Sequence, residues 1–304
     1  MNRSLRPLAA TAVIFLLAYG AAALQFPGLF STRVLGNFLT DNAFLGIAAV
    51  GMTFVILSGG IDLSVGAVIG LSGVLVAVMI SWLGMPPLIA FALTLTIAAA
   101  FGAAMGAAIH WLRVPSFIVT LAGMFLARGA ASVISPDSIP IHHAAYDWVS
   151  QAYWKMPGGG RLSLIGALMV MVFILGAVLA HRTRFGANVY ALGGNAASAE
   201  LMGVPVSRTT VLIYTLSSTL AGLSAVGVEL DAIGAVVIGG TLLTGGYGFV
   251  AGTFIGVMLM GLVQTYIIFD GTLSSWWTKI VIGVLLFMFI LLQRLVFRAQ
   301  AARD

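Results

Sequence analysis

The chain has 304 residues, of which 61% are hydrophobic and 8% charged, and its mean hydropathy is +1.10. Soluble domains carry about 25% charge, so a water-soluble globular domain is excluded and a polytopic membrane protein is expected. The net charge of +5 lies mostly on arginines in short connecting segments, with no basic face interleaved with stacking aromatics, which argues against nucleic acid as a partner. There is no cysteine, so disulfides, thiolate catalysis and Cys-based metal sites are excluded and the redox compartment is left open.

The first segment, MNRSLRPLAATAVIFLLAYGAAAL, has the two arginines, apolar core and AAA of a signal peptide. Its apolar run over 7–26 nevertheless reaches the ~20 residues of a spanning helix, and a retained first span is expected. A second span is expected over 41–57. From Leu63 to Leu112 there is no Asp, Glu, Lys or Arg, and Gly84-Met85-Pro86-Pro87 breaks the run into spans at 65–83 and 86–111. The same rule places spans at 116–134, 162–181, 209–226, 228–243, 249–269 and 276–295. The expected fold is an all-α polytopic membrane protein of about ten transmembrane helices in one domain, 1–304.

Arginine placement orients this topology. Arg3, Arg6, Arg113, Arg182, Arg184, Arg208, Arg294, Arg298 and Arg303 fall on one side, which the positive-inside rule makes cytoplasmic, with both termini. Asp41, Asp137, Asp147 and Asp270 fall opposite. The extracytoplasmic loop 135–161 holds His142, His143, Tyr146, Trp148, Tyr153 and Trp154. These suit either an interfacial belt or contact with an extracytoplasmic partner.

Acids at membrane depth are costly and usually functional. Asp62 sits in Ser58-Gly59-Gly60-Ile61-Asp62-Leu63-Ser64. It reads either as a cap for the amides opening the third span or, with Ser64, as part of a translocation path. Glu229 and Asp231 have the same two readings at the start of the eighth span. A weak internal repeat pairs 62–70 (DLSVGAVIG) with 231–239 (DAIGAVVIG), and duplicated halves with Gly-interrupted helices are common in transporters. Arg128, well inside a span, is expected to snorkel to the outer interface. Gly66/Gly70, Gly102/Gly106 and Gly248/Gly252/Gly256 are spaced for close helix approach.

The polar stretch 182–208, RTRFGANVYALGGNAASAELMGVPVSR, separates two apolar runs on the cytoplasmic side. Asn195 is placed to cap a short helix over 196–202, Gly203 to end it, and Pro205 forbids its return. A short capped helix between two spans is a poor anchor, so a soluble cytoplasmic partner is expected to hold it. The candidate contact residues are Gly193, Gly194, Asn195, Glu200, Leu201, Met202 and Gly203. The alternative is an ordinary ordered loop.

Catalytic signatures are missing. There is no HExxH or GxSxG, and the four histidines lie on unrelated segments. The two lysines, Lys155 and Lys279, follow Trp154 and Thr278, whereas a phosphate-binding loop needs Gly-Lys-Ser/Thr. If transport is ATP-driven, another polypeptide hydrolyses the ATP.

Three long motifs in order, NAFLGIAAVGMTFVILSGGIDLSVGAVIG, RTRFGANVYALGGNAASAELMGV and VELDAIGAVVIGGTLLTGGYGFVAGTFIG, resemble the permease subunits of bacterial ATP-binding-cassette (ABC) importers for ribose, xylose and related monosaccharides. The likeness covers nearly the whole chain. LQFPGLFSTRV, SIPIHHAAYD, KMPGGGRLS and FDGTLSSWWTKI look most like a permease of the galactofuranose importer. The resemblance implies an ABC importer permease fold, without catalytic residues, in the bacterial inner membrane. It implies pairing with a second permease subunit, the same or a related chain, and delivery of sugar by a periplasmic sugar-binding protein. ATP and Mg would be bound by a cytoplasmic ATP-binding-cassette ATPase, leaving no cofactor in this chain, and 193–203 would contain the coupling helix. One departure stands out: relatives carry a further stretch before Val226-Gly227-Val228-Glu229, whereas here the seventh span runs almost directly into the eighth. A different class, a self-contained ion- or proton-coupled carrier, would route protons through Asp62, Glu229 and Asp231 but has no need of a capped docking helix. An intramembrane enzyme lacks any nucleophile–base constellation.

Overall fold

The computed structural model describes residues 6–137, 139–224, 229–271 and 276–301, and helices take up most of them. In chain order they are α1 (Arg6–Gln25), α2 (Thr32–Asp41), α3 (Ala43–Leu57), α4 (Val65–Ser81), α5 (Pro87–Trp111), α6 (Ser116–Ile134) and α7 (Ala144–Gln151). A small antiparallel hairpin, β1 (Tyr153–Lys155) with β2 (Arg161–Ser163), pairs Tyr153 with Ser163. Then come α8 (Leu164–Arg182), α9 (Arg184–Gly194), α10 (Ala196–Leu201), α11 (Val206–Ser224), α12 (Glu229–Ile238), α13 (Val250–Asp270) and α14 (Trp276–Ala301).

Prolines mark the starts. Pro87 opens α5, while Pro115 and Pro205 immediately precede α6 and α11, where a missing N–H costs nothing. Ser163 and Thr183 cap α8 and α9, their hydroxyls accepting from Gly166 N at 3.0 Å and Gly186 N at 3.2 Å.

Five helices, α1, α5, α6, α8 and α13, are long and apolar enough to cross a membrane, and α2 with α3 forms a further span bent by 54°. α4 is apolar but shorter, and α11, with buried hydroxyls from Thr209 to Ser224, is not among the helices apolar enough to cross on composition alone. The fold is thus polytopic and helical, as expected. The eighth expected span, 228–243, is corrected: α12 has ten residues and rises about 15 Å, half of a ~30 Å hydrocarbon core. It stops where Gly240 turns to φ +90° and a glycine-rich loop follows. Arg3, Arg303 and the junction 225–228 lie outside the described residues, as do the side chains of Arg6, Arg294 and Arg298.

α3 is buried over nearly its whole length, packed by α8, α11, α12 and α13. Lipid offers no hydrophobic drive for such contacts, so close backbone approach supplies them. α5 and α11 are the most intimate pair: a Cβ on Gly102 would stand 2.7 Å from that of Ser218, and one on Gly106 2.8 Å from the Val211 Cα. Gly256 packs likewise on the Ala235 carbonyl and Gly252 on that of Gly239, joining α13 to α12. Gly70 faces open space, and Gly248 lies in the loop before α13. Gly102→Ala is therefore expected to destabilise the fold by about 1–3 kcal/mol through overpacking. Gly70→Ala should be neutral or slightly stabilising. Thermal unfolding of the two detergent-solubilised variants checks the contrast.

Candidate functional site

α3 ends because Gly59 adopts φ +81°, which lets Gly60 N close back onto the Val55 carbonyl. The extended residues beyond have no helical partners, and hydroxyls satisfy them instead. Ile61 N donates to Ser116 Oγ and Leu63 N to Thr120 Oγ1, both at 3.2 Å. Asp62 and Ser64 are fully buried. Asp62 Oδ1 accepts from Ser64 N at 2.9 Å and from Ser64 Oγ at 2.6 Å, while Oδ2 accepts from the Ser217 hydroxyl of α11 at 2.9 Å.

The expected cap does not form: the start of α4 has no side-chain cap hydrogen bond, and Asp62 instead closes a local turn onto Ser64, the residue just before the helix. The bridge to Ser217 was missed. The signal for it is Ser217-Ser218 at the middle of a membrane-length helix, where hydroxyls call for partners.

A second break lies between α12 and α13, and it corrects the register of the internal repeat. Asp231 falls in the first turn of α12, ahead of its break, whereas Asp62 lies within the other break. In sequence, Gly59, Gly60, Gly66, Ile69 and Gly70 line up with Gly245, Gly246, Gly252, Ile255 and Gly256. The turns that end α3 and α12 lie at Gly59 and Gly240, whose amides return to the Ile56 and Val237 carbonyls. The hydroxyls of Thr53 and Thr253 meet at 2.8 Å between α3 and α13. The side chains of Glu229 and Asp231 lie outside the described residues.

The arginine-flanked segment runs past both breaks. In α9 the Tyr190 hydroxyl donates to the Gly248 carbonyl at 2.6 Å. Burial, with Tyr247 nearby, pushes its phenol up to about 12, so it remains a neutral donor at any physiological pH. Gly193 lies directly against the Leu57 carbonyl and Gly246 N, with no room for a side chain, whereas Gly194 faces open space. Asn195 Oδ1 accepts from Ser198 N at 2.8 Å, capping α10 as expected, and Gly203 at φ +83° ends the turn with Val204 N on the Ala199 carbonyl. Glu200 is exposed, Leu201 is 91% and Met202 74% exposed. Beside this segment a cleft of about 350 Å³ opens between Gly59, Gly60, His110, Arg113, Ala196 and Tyr214.

The 135–161 segment contributes exposed Trp148 and Trp154, Tyr146 stacked on Phe91, and the Arg161 guanidinium 4.5 Å from the Tyr153 ring centre. Arg128 is exposed on α6. The structure thus brings Gly193 and Gly194 to the two breaks, and keeps Asp62 and Ser64 sealed inside.

Residues 34–228 match the family model described as "Branched-chain amino acid transport system / permease component". The chain is 59% identical to the inner membrane ABC transporter permease protein YjfF of Escherichia coli K12, over 95% of this chain and 92% of that one. It is 38% identical to the fructose import permease protein FruG of Bifidobacterium longum NCC 2705 (97% and 93% covered). It is 36% identical to the ribose import permease protein RbsC of Escherichia coli K12 (87% of each). No solved structure matches. A multi-pass helical body carrying this family's sequence through most of its length is a transporter component of the inner membrane; the chain belongs to the family of permease components of ABC transporters.

Proposed function

We propose that the chain is the membrane-spanning permease of an ATP-driven importer for galactofuranose or another five-membered-ring monosaccharide. The observation that carries the ATP-driven reading is the Leu201–Met202 edge: two large apolar side chains, almost wholly exposed, on a capped helix flanked by arginines. Single exposed apolar residues are ordinary, but an adjacent pair on so short a helix fits a partner's pocket. The partner is a cytoplasmic ATPase that binds ATP and Mg; a second permease copy or related chain completes the path, and a periplasmic binding protein delivers sugar. The cargo rests on the galactofuranose-like stretches; relatives named for fructose and ribose import support the coarser reading of a sugar. The path runs along the broken segments around Asp62, Ser64, Glu229 and Asp231, without covalent chemistry on the sugar. A self-contained proton carrier is less well supported, because Asp62 is sealed among three hydrogen-bond donors.

Vesicles containing the permease, its ATPase and its binding protein are expected to accumulate labelled galactofuranose only with ATP inside the ATPase compartment. Transport of pyranoses or amino acids alone would remove the cargo assignment. The same vesicles test sidedness. Ala144→Cys, on the exposed start of α7, is expected to react with a membrane-impermeant thiol reagent from the periplasmic face. Reaction only from the ATPase face would reverse the topology.

A further inference from the structure

We infer that Gly193 is the pivot of a three-way backbone joint through which movement of the docking loop displaces both broken hairpins together. This rests on the reading that α10 docks on the ATPase, and it adds how the motion enters the membrane.

Three glycine pairs, Gly59-Gly60, Gly193-Gly194 and Gly245-Gly246, come from distant parts of the chain and meet with no side chain between them. Gly246 N donates to the Leu57 carbonyl at 2.8 Å. A Cβ on Gly245 would stand 2.5 Å from Gly59 N and 3.1 Å from the Gly193 Cα, and one on Gly246 2.9 Å from Gly194 N. Gly59, Gly245 and Gly246 also hold φ between +73° and +82°, which side-chain-bearing residues rarely adopt. Gly193 is wedged between the two breaks, touching the Leu57 carbonyl on one and Gly246 N on the other. The Tyr190–Gly248 hydrogen bond, three residues before Gly193, ties the same helix to the second break.

Backbone against backbone has no rotamers to absorb a displacement, and close-packed interiors transmit strain rather than dissipate it. A shift of the Asn195 cap is therefore handed within two residues to both breaks. From one, it reaches α4 and α11 through Asp62 and Ser217; from the other, α13, which the Thr53–Thr253 contact joins to α3. One pivot serves two hairpins because Gly59-Gly60 closes the end of α3 and Gly245-Gly246 lies in the loop leading to α13, and Gly193 packs against both.

The assembled transporter tests this with Gly193→Ala, Tyr190→Phe and, as the control, Gly129→Ala on α6. ATPase binding is expected to persist in all three. Sugar moved per ATP should fall about tenfold in Gly193→Ala, a loss of ~1.4 kcal/mol in coupling, and by several-fold in Tyr190→Phe. Gly129→Ala, outside the docking segment and with open space at its Cβ, should stay within about twofold of the parent.

A structural readout accompanies it. Because the chain has no cysteine, Ser58→Cys and Thr244→Cys report one break each. Adding a non-hydrolysed ATP analogue should change thiol labelling at both, and Gly193→Ala should abolish both changes. Nucleotide responses at only one site, or responses at both that survive Gly193→Ala with the ATPase bound, overturn the joint. Equal damage from Gly129→Ala overturns it too. If Gly193→Ala fails to assemble, Tyr190→Phe decides: unchanged sugar per ATP overturns the proposal. ATPase retention by a Leu201→Asp, Met202→Asp variant would instead overturn the docking reading, so the two failures are distinguishable.

Discussion

Replacing Leu201 and Met202 together by aspartate is expected to bring ATP-driven uptake to background while leaving the chain inserted and folded. α10 has six residues, far below the length at which a helix holds itself in water, so its persistence in a working transporter depends on a partner. Burying two such side chains contributes roughly 3–6 kcal/mol, and carboxylates in their place would have to be desolvated in the same pocket. The fold loses little, because both side chains are exposed and Ala199 supplies the inward contact. Glu200→Ala is the comparison: an exposed ion pair contributes about 0–1 kcal/mol, so uptake should drop no more than about fivefold. Co-purification of the ATPase and ATP-driven uptake are the measurements. A double variant that binds the ATPase and transports normally would show that α10 is an ordinary loop element.

Asp62→Ala should be the most damaging single change in the interior. It strands Ser64 N, the Ser64 hydroxyl and the Ser217 hydroxyl, all around a fully buried site. Removing one partner from such a buried charged network costs about 3–5 kcal/mol. Asp62→Asn keeps one acceptor oxygen, and the Ser217 hydroxyl can rotate to accept from the new amide, so a loss of about 1–2 kcal/mol is expected. Ser217→Ala removes a single donor and should resemble Asp62→Asn. Thermal unfolding ranks the three. Uptake then separates structure from electrostatics: an Asp62→Asn variant that folds but does not transport would assign the charge to the transport cycle. Normal stability and uptake in Asp62→Ala would remove the carboxylate from both.

Some of this site was legible in the chain and some was not, for physical reasons. The capped α10 was readable because Asn195, Gly203 and Pro205 act within a few residues of one another. Asp62 was recognisable as an anomaly, since a carboxylate in so apolar a stretch needs an explanation. Its partner was not, because Ser217 lies on another helix and hydroxyls are common in membrane helices. The truncated α12 escaped notice because an apolar run has the same composition whether it continues or breaks. The glycines at 239, 240, 245, 246 and 248 carried that information. Close packing at Gly102 and Gly256 followed from spacing, while the emptiness around Gly70 did not, because spacing does not say which face meets a neighbour.

The Asp62–Ser217 bridge also imposes an order on biosynthesis. Its two ends are separated by 155 residues, which at ~5–20 residues per second means about 8–30 s between their emergence from the ribosome. During that interval the first hairpin carries a carboxylate whose outer oxygen has no permanent partner, next to an apolar α3 that lipid solvates as readily as protein does. The nascent hairpin therefore has no reason to settle in its final place until α11 arrives, and water or lipid headgroups must serve Asp62 until then. The N-terminal third of this transporter is thus inserted early and finished late, and its maturation depends on completing a helix two-thirds of the way along the chain.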